Sequence, residues 1–287
     1  MVKLANEDIK TRDVLDWEGL HVFHFPFSSC SQKLRIFLNL KGVKWKSHLV
    51  DLMGNENLTE HFLGINPRGL LPTIVHNGDV HIESNDILSY LEEVFPEPKL
   101  IPPGSENAVT ELLKHEDEMH LDLRALSFRF VFNPPHDPKS PEDLKLYASA
   151  GSGTVGGLAD ERIGVEIGFW QQIASEGITD AVATRAAQKF RESFQKLDDT
   201  LENQEYLLPD GFSVLDIAWF IYANRLTLAG YPVDRLHPNL SGWYKRLSVM
   251  PEIAREVELP RPVKEKFDAT RAQHLAEGAD IEAVTGL

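Results

Sequence analysis

The chain changes its pattern near residue 105, and this change limits the folds that are open to it. From Leu20 to Phe95, short β-like runs alternate with amphipathic helical stretches, a pattern typical of a mixed sheet with crossover helices. Beyond Glu106, apolar residues recur at helical spacing and no further strand is predicted. The sequence therefore predicts an α/β N-terminal domain followed by an all-α helical C-terminal domain.

Proline and glycine mark the boundaries within this pattern. Asn77-Gly78 predicts a tight hairpin between two short strands. A helix is predicted from Ser84 to Val94 and ends before Pro96. The predicted segments are an N-terminal extension at 1–18, the α/β domain at 19–102, a linker at 103–110, the helical domain at 111–263 with an excursion near 133–157, and a C-terminal helix or tail at 264–287.

Charge and cysteine content narrow the classes of function. The chain has 29 Lys and Arg against 44 Asp and Glu, which argues against a nucleic-acid partner because such partners need basic patches. No apolar run approaches the ~18 residues of a membrane span, and Met1 to Trp17 is charged throughout. We therefore expect no membrane partner and a cytoplasmic location. The single cysteine excludes an intramolecular disulfide and any two-cysteine redox motif.

That cysteine belongs to the run Ser28-Ser29-Cys30-Ser31, which lies between a strand-like run and a helical stretch. The first backbone N–H groups of a helix lack intrahelical partners, and the macrodipole adds about half a positive charge there. Lys33 and Arg35 add positive charge within the first turns. A thiolate is stabilised in such a setting, which makes Cys30 a candidate nucleophile. The alternative is a small buried hydrophobic residue.

Two other motifs carry polar groups that a ligand could use. Pro72 stands at the start of a predicted strand, and a cis Leu71–Pro72 bond would leave the backbone of Leu71 free to pair with an extended ligand. Glu83-Ser84 stands at a predicted helix start, which suits a ligand carboxylate. Taken separately, each motif is also typical of an ordinary strand edge or helix cap.

In this order and spacing, the motifs resemble the cytosolic glutathione transferase superfamily. The similarity covers about residues 19–260 and is carried by SSCSQKLRIFLNLKG, NPRGLLPTIV, ESNDILSYLEEVFPEPKL and FSVLDIAW. The first segment is similar to the zeta class and to the glutathione-dependent reductive dehalogenases. The resemblance implies a thioredoxin-like N-terminal domain that binds glutathione, a helical C-terminal domain, a pocket between them for a small hydrophobic electrophile, and a homodimer.

The resemblance also implies which residues contact the thiol and the backbone of glutathione. Cys30 matches the nucleophilic or thiol-activating position of the family, and Ser28 and Ser29 are the neighbouring hydroxyl donors. Leu71 and Pro72 match the backbone clamp for the cysteinyl part of glutathione. These residues form the expected reacting end of the site.

At the other end, Glu83 and Ser84 match the pair that holds the γ-glutamyl group, with Glu83 taking the ammonium. Ser213 and Asp216 match a folding cap of the family, so we assign them to stability. Two features depart from the family pattern. Leu70 stands where many members have glutamine, and the turn after the first strand has no tyrosine, so serine or cysteine must activate the thiol.

Two chemistries fit these residues. In the first, Ser28 or Ser29 stabilises the glutathione thiolate, which attacks a halide, an epoxide, an activated double bond or an aryl ether. In the second, Cys30 forms a mixed disulfide with glutathione, as in a thiol transferase, a reductive dehalogenase or a glutathione-conjugate lyase. A third alternative is a non-catalytic glutathione-binding or interaction protein on the same scaffold.

The second substrate depends on the helical domain, where the sequence is less informative. Aromatic residues there and after the first strand are candidates to line an apolar pocket, and most of them are expected to pack in the core, with about two or three in contact with a ligand. His115 and His120 have the wrong spacing for one helical face, so no metal site is expected. The residues predicted for the hydrophobic substrate pocket are Phe27, Phe130, Trp170, Trp219 and Tyr222.

Overall fold

The computed structural model describes residues 2–132 and 139–287, which form two compact units. The sheet unit contains residues 2–96 and 139–177, and the helical unit contains residues 97–132 and 178–287. The sequence pattern assigns the excursion near 133–157 to the helical domain, whereas its described part packs within the sheet unit. Its residues 133–138 lie outside the described residues.

One mixed sheet of five strands is the centre of the sheet unit. The strands are β1 (Val2–Lys3), β2 (Leu20–His24), β3 (Lys46–Leu49), β4 (Thr73–His76) and β5 (Asp79–Ile82). Their order is β1-β5-β4-β2-β3, in which β2 and β3 run parallel and the other pairs run antiparallel. The predicted Asn77-Gly78 turn joins β4 to β5, and both residues have positive φ (52° and 82°).

Helices form most of the remaining structure. The helices of the described residues are α1 (Ser29–Lys41), α2 (Glu60–Ile65), α3 (Ser84–Val94), α4 (Glu106–Glu118), α5 (His120–Phe130), α6 (Pro141–Ala150), α7 (Arg162–Glu176), α8 (Asp180–Leu201), α9 (Val214–Leu228), α10 (Val233–Leu236), α11 (Pro238–Ser248), α12 (Pro251–Val257), α13 (Arg261–Glu277) and α14 (Ile281–Thr285). Helix α1 supplies the crossover that the parallel β2–β3 pair requires.

The segment predicted as an N-terminal extension is part of the sheet unit. Val2 pairs with Ile82 at the edge of the sheet, and Leu4, Ile9 and Val14 are buried in the apolar core beneath it. A strand of two residues is too short to show an alternating pattern. The buried apolar residues that follow this strand attach it to the sheet unit.

Residues 139–177, here called the insertion, also belong to the sheet unit. They contain α6, α7 and a hairpin of two short strands, β6 (Thr154–Val155) and β7 (Leu158–Ala159), which the sequence pattern did not predict. Tyr147 of α6 packs with Leu58 and Leu63 in a second apolar cluster. The insertion therefore shares a core with the chain between β3 and β4.

Asp8 holds the hairpin of the insertion. Its carboxylate accepts hydrogen bonds from the hydroxyl of Thr154 (2.6 Å) and from the backbone N–H groups of Gly156 (2.7 Å) and Gly157 (3.1 Å). Burial raises the pKa of Asp8, but the hydrogen bonds from Thr154, Ala5 and the two glycines outweigh burial and bring this pKa below its ordinary value. The ionised carboxylate is thus the form that anchors the insertion.

In the helical unit, α9 is buried along nearly its whole length. Ser213 caps it as predicted, with its Oγ accepting the N–H of Leu215 (3.3 Å), while Asp216 accepts the N–H of Ser213 (2.9 Å). Asp216 also accepts the indole N–H of Trp243 (2.9 Å). These contacts tie the start of the central helix to α11 and support a role in stability.

The C-terminal residues are packed against the helical unit. Helix α14 contacts α8, where Ile281 is buried and the hydroxyl of Thr184 donates to the carbonyl of Val284 (3.4 Å). Helix α13 is largely exposed, with Thr270 its buried residue. Within residues 2–132 and 139–287, none of the helices is both long and apolar enough to span a membrane.

Candidate functional site

Ser28, Ser29 and Cys30 lie at the start of α1, a few residues beyond the end of β2. Ser28 is the N-cap, and its Oγ accepts the backbone N–H of Ser31 at 3.2 Å. Ser29 and Cys30 are the first two residues of the helix, and all three side chains are partly exposed. Because the Ser28 oxygen accepts this bond through a lone pair, its hydroxyl hydrogen can still be donated.

Buried basic residues of α1 brace the loop before the helix. The guanidinium of Arg35 donates to the carbonyls of Phe25 (3.2 Å) and Pro26 (3.0 Å), and the ammonium of Lys33 donates to Oδ1 of Asn85 (2.6 Å) on α3. These cations fix backbone and side-chain positions in addition to supplying positive charge. The contact between Lys33 and Asn85 joins the starts of α1 and α3.

Leu71 and Pro72 lie directly before β4, and their peptide bond is cis. Pro72 is buried and Leu71 is partly exposed. The side-chain amide of Asn66 donates to the carbonyl of Leu70 (2.9 Å) and to the hydroxyl of Thr73 (2.9 Å). Asn66 therefore holds both ends of this short segment in place.

Glu83 and Ser84 form the junction between β5 and α3. Glu83 has φ 65° and ψ 114°, a conformation that costs a residue other than glycine about 1–3 kcal/mol. Ser84 is the first residue of α3 and is buried. The backbone at Glu83 turns directly from strand to helix and leaves its side chain a quarter exposed (25%).

Arg68 links Glu83 to a second acidic residue, Asp160. Arg68 Nη1 lies 2.5 Å from Glu83 Oε1, and its Nε and Nη2 lie 2.7 Å and 2.8 Å from the two carboxylate oxygens of Asp160. Burial lowers the pKa of Arg68, but the hydrogen bonds that it donates to Asp160 and Glu83 outweigh burial and raise this pKa well above its ordinary value. Arg68 is thus a permanent cation between two carboxylates.

Neither Arg68 nor Asp160 is among the site residues predicted from the sequence. Arg68 is a charged residue in the otherwise apolar or neutral motif NPRGLLPTIV, which is a signal of a paired role. Asp160 has no such signal, because it stands 92 positions away in the insertion. Tyr147 of the insertion also donates its hydroxyl to the carbonyl of Arg68 (2.5 Å).

The sheet topology brings the three predicted segments to one end of the sheet. The last residues of β2 pair with the first residues of β4, with Phe23 opposite Thr73. Strand β5 is antiparallel to β4 and pairs its His81 with Ile74. The end of β2, the start of β4 and the end of β5 therefore lie at the same end of the sheet. The segments next to these strand ends are the start of α1, Leu71–Pro72 and Glu83.

The residues predicted for a hydrophobic pocket fall into both units. In the sheet unit, Phe27 is partly exposed and its ring packs on the ring of Phe25. The ammonium of Lys139 lies 4.8 Å from the centre of the Trp170 ring. The other predicted residues, Phe130, Trp219 and Tyr222, are buried in the helical unit. Trp219 and Tyr222 pack 6.0 Å apart on α9. Their contact with a substrate stays a prediction.

The histidines considered for a metal have other partners. His115 Nε2 lies 2.9 Å from the Ser193 hydroxyl, and His120 Nδ1 lies 3.2 Å from the Tyr222 hydroxyl. In the described part of the chain, no group of three or more His, Cys, Asp and Glu side chains is placed to hold a metal ion.

Two family models match this chain, and they fall one in each unit. Residues 27–94 match the N-terminal domain of glutathione S-transferase, and residues 180–246 match its C-terminal domain. Glutathione S-transferase 1 of Dianthus caryophyllus is 43% identical over 85 residues, and a zeta-class enzyme of Euphorbia esula is 43% identical over 83 residues. These matches cover 30% and 29% of this chain, and the chain spans 38% and 37% of the two plant relatives.

A longer match is found with Protein LigF of Sphingobium sp. strain SYK-6, which is 26% identical over 266 residues, 89% of this chain and 96% of LigF. The crystal structure of this β-etherase superposes with a TM-score of 0.67 at 25% identity, over 83% of this chain and 98% of LigF. The predicted architecture, a thioredoxin-like domain followed by a helical domain, is confirmed. The chain belongs to the cytosolic glutathione transferase superfamily.

Proposed function

We propose that this protein is a glutathione transferase that binds glutathione at the end of its sheet and activates the thiol for attack on a small hydrophobic electrophile. The observation that carries the proposal is the convergence of three segments, the start of α1, Leu71–Pro72 and Glu83-Ser84, at one edge of neighbouring strands. Together they offer hydrogen-bond donors, backbone groups and a carboxylate in the order that the tripeptide requires.

Ser28 is the residue that suits activation of the thiol. Its Oγ accepts the N–H of Ser31, which fixes the oxygen and leaves the hydroxyl hydrogen to donate to a sulfur anion. The macrodipole of α1 favours negative charge in the same place. A glutathione sulfur beside Ser28 would therefore be stabilised as the thiolate, which is the reactive form.

The remaining contacts hold the two ends of glutathione. The backbone of Leu71 would pair with the cysteinyl residue as a neighbouring strand does. The carboxylate of Glu83 would accept the γ-glutamyl ammonium, and the Ser84 hydroxyl with the first N–H groups of α3 would bind the adjacent carboxylate. These contacts place the reacting sulfur by binding groups at a distance from it.

The similarity to the β-etherase LigF along most of both chains supports an ether as the electrophile. The thiolate would attack the carbon that bears the ether oxygen, forming a C–S bond as the C–O bond breaks. The leaving oxygen takes a proton, so one glutathione and one ether give a thioether and an alcohol or phenol. Aromatic residues such as Phe27 would supply an apolar surface for such a substrate.

Cys30 supports a second reaction, because it is the second residue of α1 and is partly exposed. Its thiolate would attack the sulfur of a glutathione conjugate, forming an S–S bond as the C–S bond breaks and the carbon takes a proton. A second glutathione would then release Cys30 and form glutathione disulfide. This route consumes two glutathione molecules per product.

Two variants distinguish these reactions. The Ser28→Ala and Cys30→Ser enzymes are assayed with an aryl halide, an aryl ether and a glutathione thioether, with glutathione disulfide measured as a product. We expect the wild type to form thioethers, Ser28→Ala to lose this activity and Cys30→Ser to retain it. The cysteine route would instead be established if the wild type forms glutathione disulfide and Cys30→Ser loses activity. Glutathione binding without turnover of any substrate would favour a non-catalytic scaffold.

A further inference from the structure

We infer that Asp160 of the insertion is a positioning residue for recognition of the ligand ammonium group, acting through Arg68 on Glu83. The inference rests on the proposed function, since it assigns the ammonium of glutathione to Glu83. It adds a residue from outside both matched family domains, because Asp160 lies between residues 27–94 and 180–246. Asp160 orients the guanidinium of Arg68 and makes the net charge of the three side chains negative.

The orientation follows from the geometry of the fork. Asp160 accepts from Nε and Nη2 on one edge of the Arg68 guanidinium, at 2.7 Å and 2.8 Å, and this leaves Nη1 for Glu83 at 2.5 Å. The guanidinium is planar and its donors are fixed relative to one another. Two bonds on one edge therefore determine where the third donor points, and they hold the Glu83 carboxylate in a single position.

Asp160 also changes the net charge of the cluster. With Asp160, the three side chains carry one positive and two negative charges, so the cluster is net negative and attracts a cation. Without Asp160, the pair of Arg68 and Glu83 is neutral. The side chains are 15% (Arg68), 12% (Asp160) and 25% (Glu83) exposed, so bulk solvent and salt screen their charges less than those of surface groups.

The insertion is built to deliver Asp160 to this place. Asp160 follows the β6–β7 hairpin and donates its backbone N–H to the carbonyl of Gly153 (3.0 Å). Asp8 holds the tip of the same hairpin from the N-terminal segment. Tyr147 binds the carbonyl of Arg68 itself. The insertion thus contacts Arg68 twice, once at its backbone and once at its charged group.

The test uses two ligands that differ by one group. Binding of glutathione, and of its analogue with hydrogen in place of the γ-glutamyl amino group, is measured by calorimetry for the wild type and for Asp160→Asn. We expect Asp160→Asn to bind glutathione about tenfold more weakly and to bind the deamino analogue as the wild type does. An equal loss for both ligands, or no loss for either, would overturn the inference.

Asp8→Asn is the matched control, because it weakens the other anchor of the insertion and leaves the Asp160–Arg68–Glu83 cluster intact. We expect it to bind both ligands as the wild type does. If Asp8→Asn reproduces the selective loss for glutathione, loosening of the insertion explains the effect and the charge of Asp160 does not. A wild type that binds neither ligand would refute the proposed function as well, which separates that failure from failure of the inference alone.

Discussion

The sheet unit contains two strand-to-helix junctions at the same end of its sheet, and the two junctions differ in charge and in backbone conformation. Between β2 and α1, a short loop ends in Ser28, which has an ordinary extended backbone (φ −71°) and a side-chain capping bond. Between β5 and α3, Glu83 alone makes the turn with φ 65° and no side-chain capping bond. The first junction presents neutral hydroxyl groups, whereas the second presents a carboxylate.

The difference lies in where each junction finds its support. Ser28 is held by Ser31, three residues along the chain, so the first junction is complete within one turn of helix. Glu83 is held by Arg68, which is in turn held by the distant Asp160. A local junction suits a group that must react, and a junction built from distant charges suits recognition, because its charge balance depends on more of the fold.

The largest effect is expected at the first junction. Ser28→Ala removes the proposed donor to the sulfur, and we expect kcat to fall about 100-fold with little change in KM for glutathione. Steady-state kinetics measure both constants. Thr59→Ala is the matched control, since Thr59 caps α2 through its hydroxyl (3.3 Å to the N–H of Phe62) and should cost a similar ~1 kcal/mol of stability with no loss of kcat.

The second junction should give the opposite kinetic pattern. Glu83→Gln removes the charge proposed to bind the ammonium of glutathione. We expect KM for glutathione to rise about 30-fold, the value of one charged hydrogen bond, while kcat at saturation changes little. The comparison between the junctions fails if Glu83→Gln lowers kcat as strongly as Ser28→Ala does, or if KM stays at the wild-type value.

Acid should weaken the fold beneath the second junction. His81 on β5 is buried and stacks on Tyr90 of α3 at 3.8 Å, and among the described residues neither ring nitrogen has a hydrogen-bond partner. Burial lowers the pKa of His81 to about 4, below the ~6.5 of an unfolded chain. Protonation therefore favours the unfolded state, and the free energy of unfolding decreases as the pH falls from ~6.5 towards about 4. It increases again as the pH rises.

His81→Phe keeps the stacked ring and removes the titration. Between pH 8 and pH 5, we expect the free energy of unfolding to fall about 2 kcal/mol less in His81→Phe than in the wild type. Urea unfolding at the two pH values measures this difference. Equal acid losses in both proteins would show that His81 is not the source.

The smallest effect is expected at the anchor of the insertion. The pKa of Asp8 lies below its ordinary value, so its carboxylate stabilises the fold at pH values above ~4, and this contribution is lost as the pH falls through the folded-state pKa. We expect Asp8→Asn to lower the free energy of unfolding by about 1 kcal/mol at pH 7 and by less at pH 2. Urea titrations at both pH values test this, and a difference as large in acid as at pH 7 would contradict it.

Local signals account for most of what could be predicted from the sequence. The helix that follows the serine run, the turn at Asn77-Gly78, the start of α3 and the Ser213–Asp216 cap each depend on residues within a few positions of one another. Short-range hydrogen bonds and backbone preferences decide such features, and residue type at fixed spacing records them.

Distant pairings account for what could not be predicted. Strand β1, the anchoring of the β6–β7 hairpin by Asp8 and the ion pair between Arg68 and Asp160 depend on contacts between residues far apart in the chain. The insertion has helical periodicity in α6 and α7, which fits a helical domain equally well. Its membership of the sheet unit follows from side-chain partners such as Asp8 and Tyr147, whose residue types alone do not identify the other half of each contact.

The division of the sheet unit into two chain segments has a consequence for synthesis on the ribosome. Domains usually fold as they emerge, starting from the N-terminus, but residues 2–96 emerge without the insertion that completes their second apolar cluster at Leu58 and Leu63. Part of the helical unit, residues 97–132, is made before that completion. We therefore expect a nascent chain halted before residue 139 to be protease-sensitive around Leu58, and one halted well after residue 177 to be resistant.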